Sequence, residues 1–332
     1  MKHLPHLSIV LTLGVLATLV GCGRQDVSKA VNGTSASPQV SDSQARTGFA
    51  DLGGARIAYQ IHGELGTGRI PLVVLHGSLM SAESMMPMVQ AFVATRPIIA
   101  IDARGHGRTG DVPGPITYEL MADDVAAVAT VLELKRVDLL GYSMGATTAL
   151  IAAARHPEVI GKQVIISGVS ERAGWVPEAQ ASFEKWNAAM FAGTPIEAAY
   201  KRATATPEAF STVVDKLREL ETANYDLSLA ALRAIKGKTM IVAGDYDGLQ
   251  LSHALKLFAA RGGSNEEVAT KGFLSSAPRT RLAILPATSH IGMSNQGELL
   301  AQLVVPFLDD EPPAPPSGFF AGMDQPADES KQ

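Results

Sequence analysis

A mostly parallel α/β sheet with helices on both faces is the fold class that this 332-residue sequence predicts. Short, almost continuously apolar runs end in turns rich in glycine and aspartate, and helical patterns separate one run from the next. Composition agrees: 46% hydrophobic and 18% charged residues suit a chain able to bury a substantial core.

The elements follow in chain order. Residues 56–61 alternate between apolar and polar, the pattern of an antiparallel edge strand. Residues 70–75 form the first buried-type run, closed by His76-Gly77, and residues 98–101 the second, followed by Asp102 to Gly107. Residues 137–140, 164–166, 239–243 and 282–285 complete the set. One helix is expected over 118–134, with Thr117 capping its first turn, and another over 144–155, ended by Pro157. The alternation lapses over residues 170–235, which read as several amphipathic helices, for example 207–222, inserted as a helical lid. The lid holds Trp175, Phe183, Trp186, Met190, Phe191, Tyr200 and Phe210, residues that suit either an apolar substrate or plain helix packing.

The ends have a different character. Residues 1–21 combine Lys2 with an apolar stretch from Leu7 to Val20, shorter than a bilayer-spanning helix needs, and read as a secretory signal. The stretch closes on Leu19-Val20-Gly21-Cys22, which resembles the lipobox of bacterial lipoproteins. That resemblance implies acylation of Cys22, the sole cysteine, with palmitate-type chains. A lipid-anchored protein of the bacterial cell envelope is then expected, at the outer membrane if the envelope is Gram-negative, because Gly23 stands where an inner-membrane retention aspartate would. Residues 22–47 are polar and aperiodic, a flexible tether with a reach of about 25–30 Å. Residues 309–332, carrying Pro312, Pro313, Pro315 and Pro316, are expected to be a disordered tail. Residues 48–308 are left as the folded domain.

With 28 Lys+Arg against 33 Asp+Glu, a net charge of -5 and no basic stripe, the chain does not suit nucleic acid as a partner. The sequence holds no cluster with metal-ligand spacing and no phosphate-cradling glycine loop, so no cofactor or metal is expected.

Chemistry concentrates at Gly141-Tyr142-Ser143-Met144-Gly145, where a buried strand turns into a helix. A turn that tight needs small residues two positions either side of the serine, and it lifts the hydroxyl above the sheet. A serine hydroxyl is a weak nucleophile at neutral pH and needs a base, which in turn needs an acid to orient it. Asp245 and Asp247 follow one expected strand and His290 follows the next, all at carboxyl ends of strands, where open α/β sheets bind ligands.

His76-Gly77-Ser78, the Asp102 to Gly107 loop, the serine pentapeptide, the Gly244 to Asp247 turn and His290 together resemble the α/β-hydrolase superfamily over residues 49–308. The resemblance implies Ser143 as nucleophile, Asp247 rather than Asp245 as acid, and His290 as base. It also implies an oxyanion hole made by the backbone N–H groups of Met144 and Ser78, with Leu79 as the alternative to Ser78. His76 and His106 would shape that side of the pocket, and Asp102 would bond loop backbone. The expected activity is cleavage of a small or lipid-like carboxylic ester through an acyl-enzyme. C–C bond hydrolysis or cofactor-free perhydrolysis on the same triad, and a non-catalytic envelope binding protein on the same fold, stay open. Haloalkane dehalogenation would place an aspartate at Ser143, and a proline iminopeptidase would continue the His-Gly motif with Gly-Gly-Pro, so neither is expected.

Overall fold

The computed structural model describes residues 45–52, 54–263, 274 and 276–313. The signal, Cys22, most of the tether and residues 314–332 lie outside them. Eight strands, β1 (Arg46–Asp51), β2 (Arg56–His62), β3 (Leu72–Leu75), β4 (Ile98–Ile101), β5 (Val137–Tyr142), β6 (Ile160–Ile166), β7 (Thr239–Tyr246) and β8 (Thr280–Ser289), form one sheet. Their order is β1-β2-β4-β3-β5-β6-β7-β8. The β1–β2 and β2–β4 pairs are antiparallel, and the rest of the sheet is parallel.

The central runs are mostly apolar because both of their faces are covered. Val73, Leu75, Ile99, Ile101, Leu139, Ile165 and Ile241 pack into one core with the helices Tyr118–Val131, Met144–Arg155 and Leu251–Ala260. Their strand neighbours Leu72, Val74, Ile98, Ala100, Leu140, Val164, Ile166, Met240 and Val242 pack into a second core with Met85, Met88, Phe92 and the helix Gly297–Leu308. This is the two-residue period of a strand read out on opposite faces. The helix expected over 118–134 ends at Val131, and Thr117 caps it, its side chain accepting from the Leu120 N–H at 3.2 Å.

Two boundaries differ from expectation. β1 starts at Arg46, inside the expected tether, because its partner β2 supplies the backbone ladder that its polar sequence does not advertise. At the other end, Asp309 and Asp310, assigned by composition to the tail, are docked on the domain. Asp309 pairs with Arg69 at 2.9 Å and with the buried Arg96, while Asp310 pairs with Lys162 and Lys238, each at 2.8 Å.

Arg96 also lies 3.8 Å from Asp138, a carboxylate inside β5, and both side chains are only 2% exposed. Burial pushes the Asp138 carboxyl up, opposed by the Lys162 backbone N–H and by surrounding cations. Removing the cation would strand that charge, so Arg96→Ala is expected to cost about 3–5 kcal/mol, read as a lower urea midpoint at unchanged slope. A cost under about 1 kcal/mol would show that the network contributes little.

Candidate active site

The turn out of β5 places Ser143 at φ 55°, ψ -120°, a conformation that costs energy in a residue bearing a side chain. The surroundings enforce it. A Cβ on Gly141 would collide with the Gly145 carbonyl, and one on Gly145 would collide with the Leu75 carbonyl. Both glycines are therefore obligatory for the turn. Ser143 sits at the helix N-terminus yet makes no side-chain capping bond, which leaves its hydroxyl for another partner.

That partner is His290. Its Nε2 lies 3.0 Å from Ser143 Oγ, and its Nδ1 lies 2.7 Å from Asp247 Oδ1. An ionised Asp247 takes the Nδ1–H and leaves Nε2 to accept from the serine hydroxyl. Asp247 is held from several sides: Ser167 Oγ donates to Oδ2 at 2.6 Å, Gly244 N–H to Oδ2 at 3.2 Å and Gly248 N–H to Oδ1 at 2.7 Å. Its side chain is fully buried. Burial pushes the carboxyl up, but the hydrogen bond and charge of His290, with the Ser167 and Gly244 donors, win and hold it below the usual carboxylate range. Asp245 instead accepts the Thr288 N–H at 3.0 Å, and the imidazole Nδ1 is taken by Asp247.

The imidazole is clamped by aromatic neighbours. Tyr142 stacks on it at 5.2 Å and donates its hydroxyl to the His290 carbonyl at 2.8 Å, and Trp175 of the lid meets it edge-on at 5.6 Å. Tyr142, Ser167 and Trp175 thus hold the His290 imidazole and the Asp247 carboxylate, contacts that nothing in the sequence pattern assigns to them.

On the other side of Ser143, the His76-Gly77-Ser78 loop passes close: a Cβ on Gly77 would lie 3.2 Å from Ser143 Cβ. The Leu79 N–H is not free for a substrate, because it donates to His106 Nε2 at 3.0 Å. Among the described residues the N–H groups of Ser78 and Met144 have no protein acceptor. His76 and His106 are loop braces. Each ring accepts at Nε2 from backbone, Ala103 N–H and Leu79 N–H, and donates at Nδ1 to a carbonyl, Gly77 and Arg104. Burial lowers both, His106 to about 3 with the neighbouring His76 adding to the effect, so both are neutral. Asp102 accepts from the backbone of Ala82 at 2.8 Å and of Arg108 at 3.1 Å.

Between the β5 turn and the lid lies a cavity of about 540 Å³. The lid helices Pro177–Phe183, Ala188–Phe191, Pro195–Ala203, Phe210–Thr222 and Leu229–Ala234 fill the chain between β6 and β7, as expected. Trp175, Phe183, Trp186, Phe191 and Tyr200 line the cavity, whereas Phe210 packs behind it and Met190 is half exposed on the outside.

One lining residue had no signal in the sequence. Glu221, on the inner face of the helix Phe210–Thr222, is 2% exposed and accepts from Ser78 Oγ at 2.9 Å and from the Tyr118 hydroxyl at 3.2 Å. Burial raises it from 4.5 to about 7, against the opposing effect of those two hydroxyls and of the His290 charge. The folded carboxyl therefore holds its proton more tightly than the unfolded one, and this site costs the protein stability as pH rises from 4.5 through about 7. Glu221→Gln is expected to leave stability little changed at pH 4 and to gain on the order of 3 kcal/mol over the native protein at pH 8, measured by urea denaturation. A difference independent of pH would refute the assignment.

Comparison with known proteins places the chain. A model described as "Alpha/beta hydrolase family" matches residues 72–303. The chain is 34% identical over 114 residues to a protein named putative carbamate hydrolase RutD from Rhizobium rhizogenes, a match covering 34% of this chain and 44% of that one, less than half the relative's length. It is 31% identical over 208 residues to the protein named serine hydrolase BPHL from Mus musculus, covering 60% of this chain and 69% of that one. The crystal structure of the enol-lactonase from Burkholderia xenovorans LB400 superposes with a TM-score of 0.59 at 22% identity, over 79% of this chain and 100% of that one, a likeness of fold.

Proposed function

The chain belongs to the alpha/beta hydrolase family, and from that membership we propose that it is a serine hydrolase cleaving carboxylic esters of small or lipid-like substrates. The observation that carries this reading is the hydrogen-bonded series Ser143, His290, Asp247 opening on an apolar cavity.

His290 Nε2 takes the Ser143 proton as Oγ attacks the ester carbonyl. The Ser78 and Met144 N–H groups receive the oxyanion, a contribution of about 10²–10³ in rate per donor. His290 then passes the proton to the departing alkoxide, leaving an acyl group on Ser143. Water, deprotonated by the same imidazole, releases the acid. Asp247, ionised throughout, keeps the imidazole in the productive tautomer and stabilises it when protonated.

Ester cleavage is supported by a cavity whose walls suit apolar acyl or alcohol groups. The test is direct. The native protein should hydrolyse short p-nitrophenyl esters, and a fluorophosphonate probe should form one adduct, mapped by mass spectrometry to Ser143. A folded, inactive sample that the probe does not label would end the reading.

The second part of the proposal is location. A Leu19-Val20-Gly21-Cys22 lipobox supports acylation at Cys22 and a tethered enzyme in the bacterial envelope, with about 0.8 kcal/mol of anchoring per buried CH₂. Among the described residues no helix is long and apolar enough to cross a membrane. An intact mass beginning at diacylated or triacylated Cys22 is the expected result, and a retained Met1 would refute it.

A further inference from the structure

Among the described residues Glu221 is a buried carboxyl without a Lys or Arg counter-ion. It lines the same cavity as Ser143 and His290. Its two oxygens accept from Ser78 Oγ and the Tyr118 hydroxyl. Among the described residues no Lys or Arg lies within ion-pair distance of it, and none lines the cavity. Two other buried carboxylates have cations beside them, Asp124 gripped by Arg104 at 2.7 Å and Asp138 near Arg96, and buried Asp102 takes the backbone N–H groups of Ala82 and Arg108 and lies outside the cavity.

A purely structural role explains this poorly. A glutamine would accept from one hydroxyl and donate to the other without the desolvation cost of a charge, and a buried charge is tolerated when something opposite in sign pairs with it. The described residues supply no Lys or Arg there, only the titratable His290, whose charge opposes the effect of burial on Glu221, and the carboxyl lines the cavity.

The remaining walls fit the same class of ligand. Trp175, Phe183, Trp186 and Phe191 form a continuous edge-to-face series around the cavity, with ring centroids 5.2 to 5.7 Å apart. Aromatic faces attract cations and tolerate methyl groups, which is how aromatic cages take quaternary ammonium ions.

We propose that the cavity selects esters bearing an alkylammonium group, with Glu221 as the counter-ion and the lid aromatics as the surround. The proposal deepens the ester-hydrolase reading and rests on it. A cation there favours the ionised carboxylate, and a neutral ester of the same shape offers it no opposite charge.

The experiment compares two esters of one shape, p-nitrophenyl 4-(trimethylammonio)butanoate and p-nitrophenyl 5,5-dimethylhexanoate, in which a quaternary nitrogen replaces a quaternary carbon. In the native protein, kcat/KM is expected to favour the cationic ester by about tenfold or more. In Glu221→Gln, whose fold is checked by circular dichroism, that ratio is expected to fall toward one. A second measurement needs no variant: choline should inhibit hydrolysis of the neutral ester at concentrations at least about tenfold below those needed for 3,3-dimethylbutan-1-ol. Hydrolysis of the neutral ester with no preference for the cation, equal inhibition by the two alcohols, or a preference that survives in Glu221→Gln would overturn the proposal and leave the ester reading standing. Failure of the native protein to hydrolyse either ester or to take a fluorophosphonate at Ser143 would remove both.

Discussion

Ser143→Ala is expected to lower kcat on short p-nitrophenyl esters by about 10⁴–10⁶, with the folded protein otherwise intact. Two features of the turn separate this loss from unfolding. The side chain caps no helix, and the strained backbone at φ 55° is imposed by Gly141, Gly145 and the β5-to-helix geometry rather than by the hydroxyl. Stability should therefore change by less than about 1 kcal/mol. What disappears is the atom 3.0 Å from His290 Nε2 that would carry the acyl group. Fluorophosphonate labelling should vanish with it. Residual activity within about tenfold of the native protein would place the nucleophile elsewhere.

The second large effect discriminates between neighbours. Asp247→Asn should reduce kcat by about 10⁴, because an amide beside Nδ1 can present an N–H and turn the imidazole to the wrong tautomer. Asp245→Asn, two residues away, should reduce it by less than about tenfold. Its carboxyl serves the Thr288 N–H, a bond that an asparagine oxygen can still accept. The pair is best measured side by side as kcat against pH, with thermal unfolding as a control. Similar losses in both variants would mean that the turn's shape, not one carboxylate, is what catalysis needs.

The contrast shows what the chain discloses by itself. Strands β3 to β7 were legible because burial on both faces leaves short, mostly apolar runs, and the turn at Ser143 because its two glycines are sterically obligatory. β1 was not legible. Only Phe49, Ala50 and their spacing hint at a strand in Arg46–Asp51, and it exists because β2 offers an antiparallel partner. The docking of Asp309 and Asp310 escaped notice for a related reason: charges near prolines read as solvated tail until the cations that meet them, up to 240 residues away, are brought alongside.

Within the site the division is just as clear. Ser143, Asp247 and His290 announce themselves through local turn chemistry at strand ends, which is a property of a few consecutive residues. That the Leu79 N–H is engaged, whereas the Ser78 N–H has no acceptor among the described residues, is visible only once His106, 27 residues further on, is brought alongside. Ser167 reaches Asp247 across 80 residues, the hydroxyl of Tyr142 reaches His290 across 148, and Glu221 reaches Ser78 across 143.

The sequence alone determined a mostly parallel α/β sheet, a helical lid and the three residues that meet in one hydrogen-bonded series, since burial periodicity and tight turns are local constraints written into adjacent residues. Tertiary structure alone decided how the His290 imidazole is clamped, which loop N–H groups are engaged and that the Glu221 carboxyl lines the cavity, since those depend on hydrogen bonds and desolvation among residues that meet only when the chain is folded.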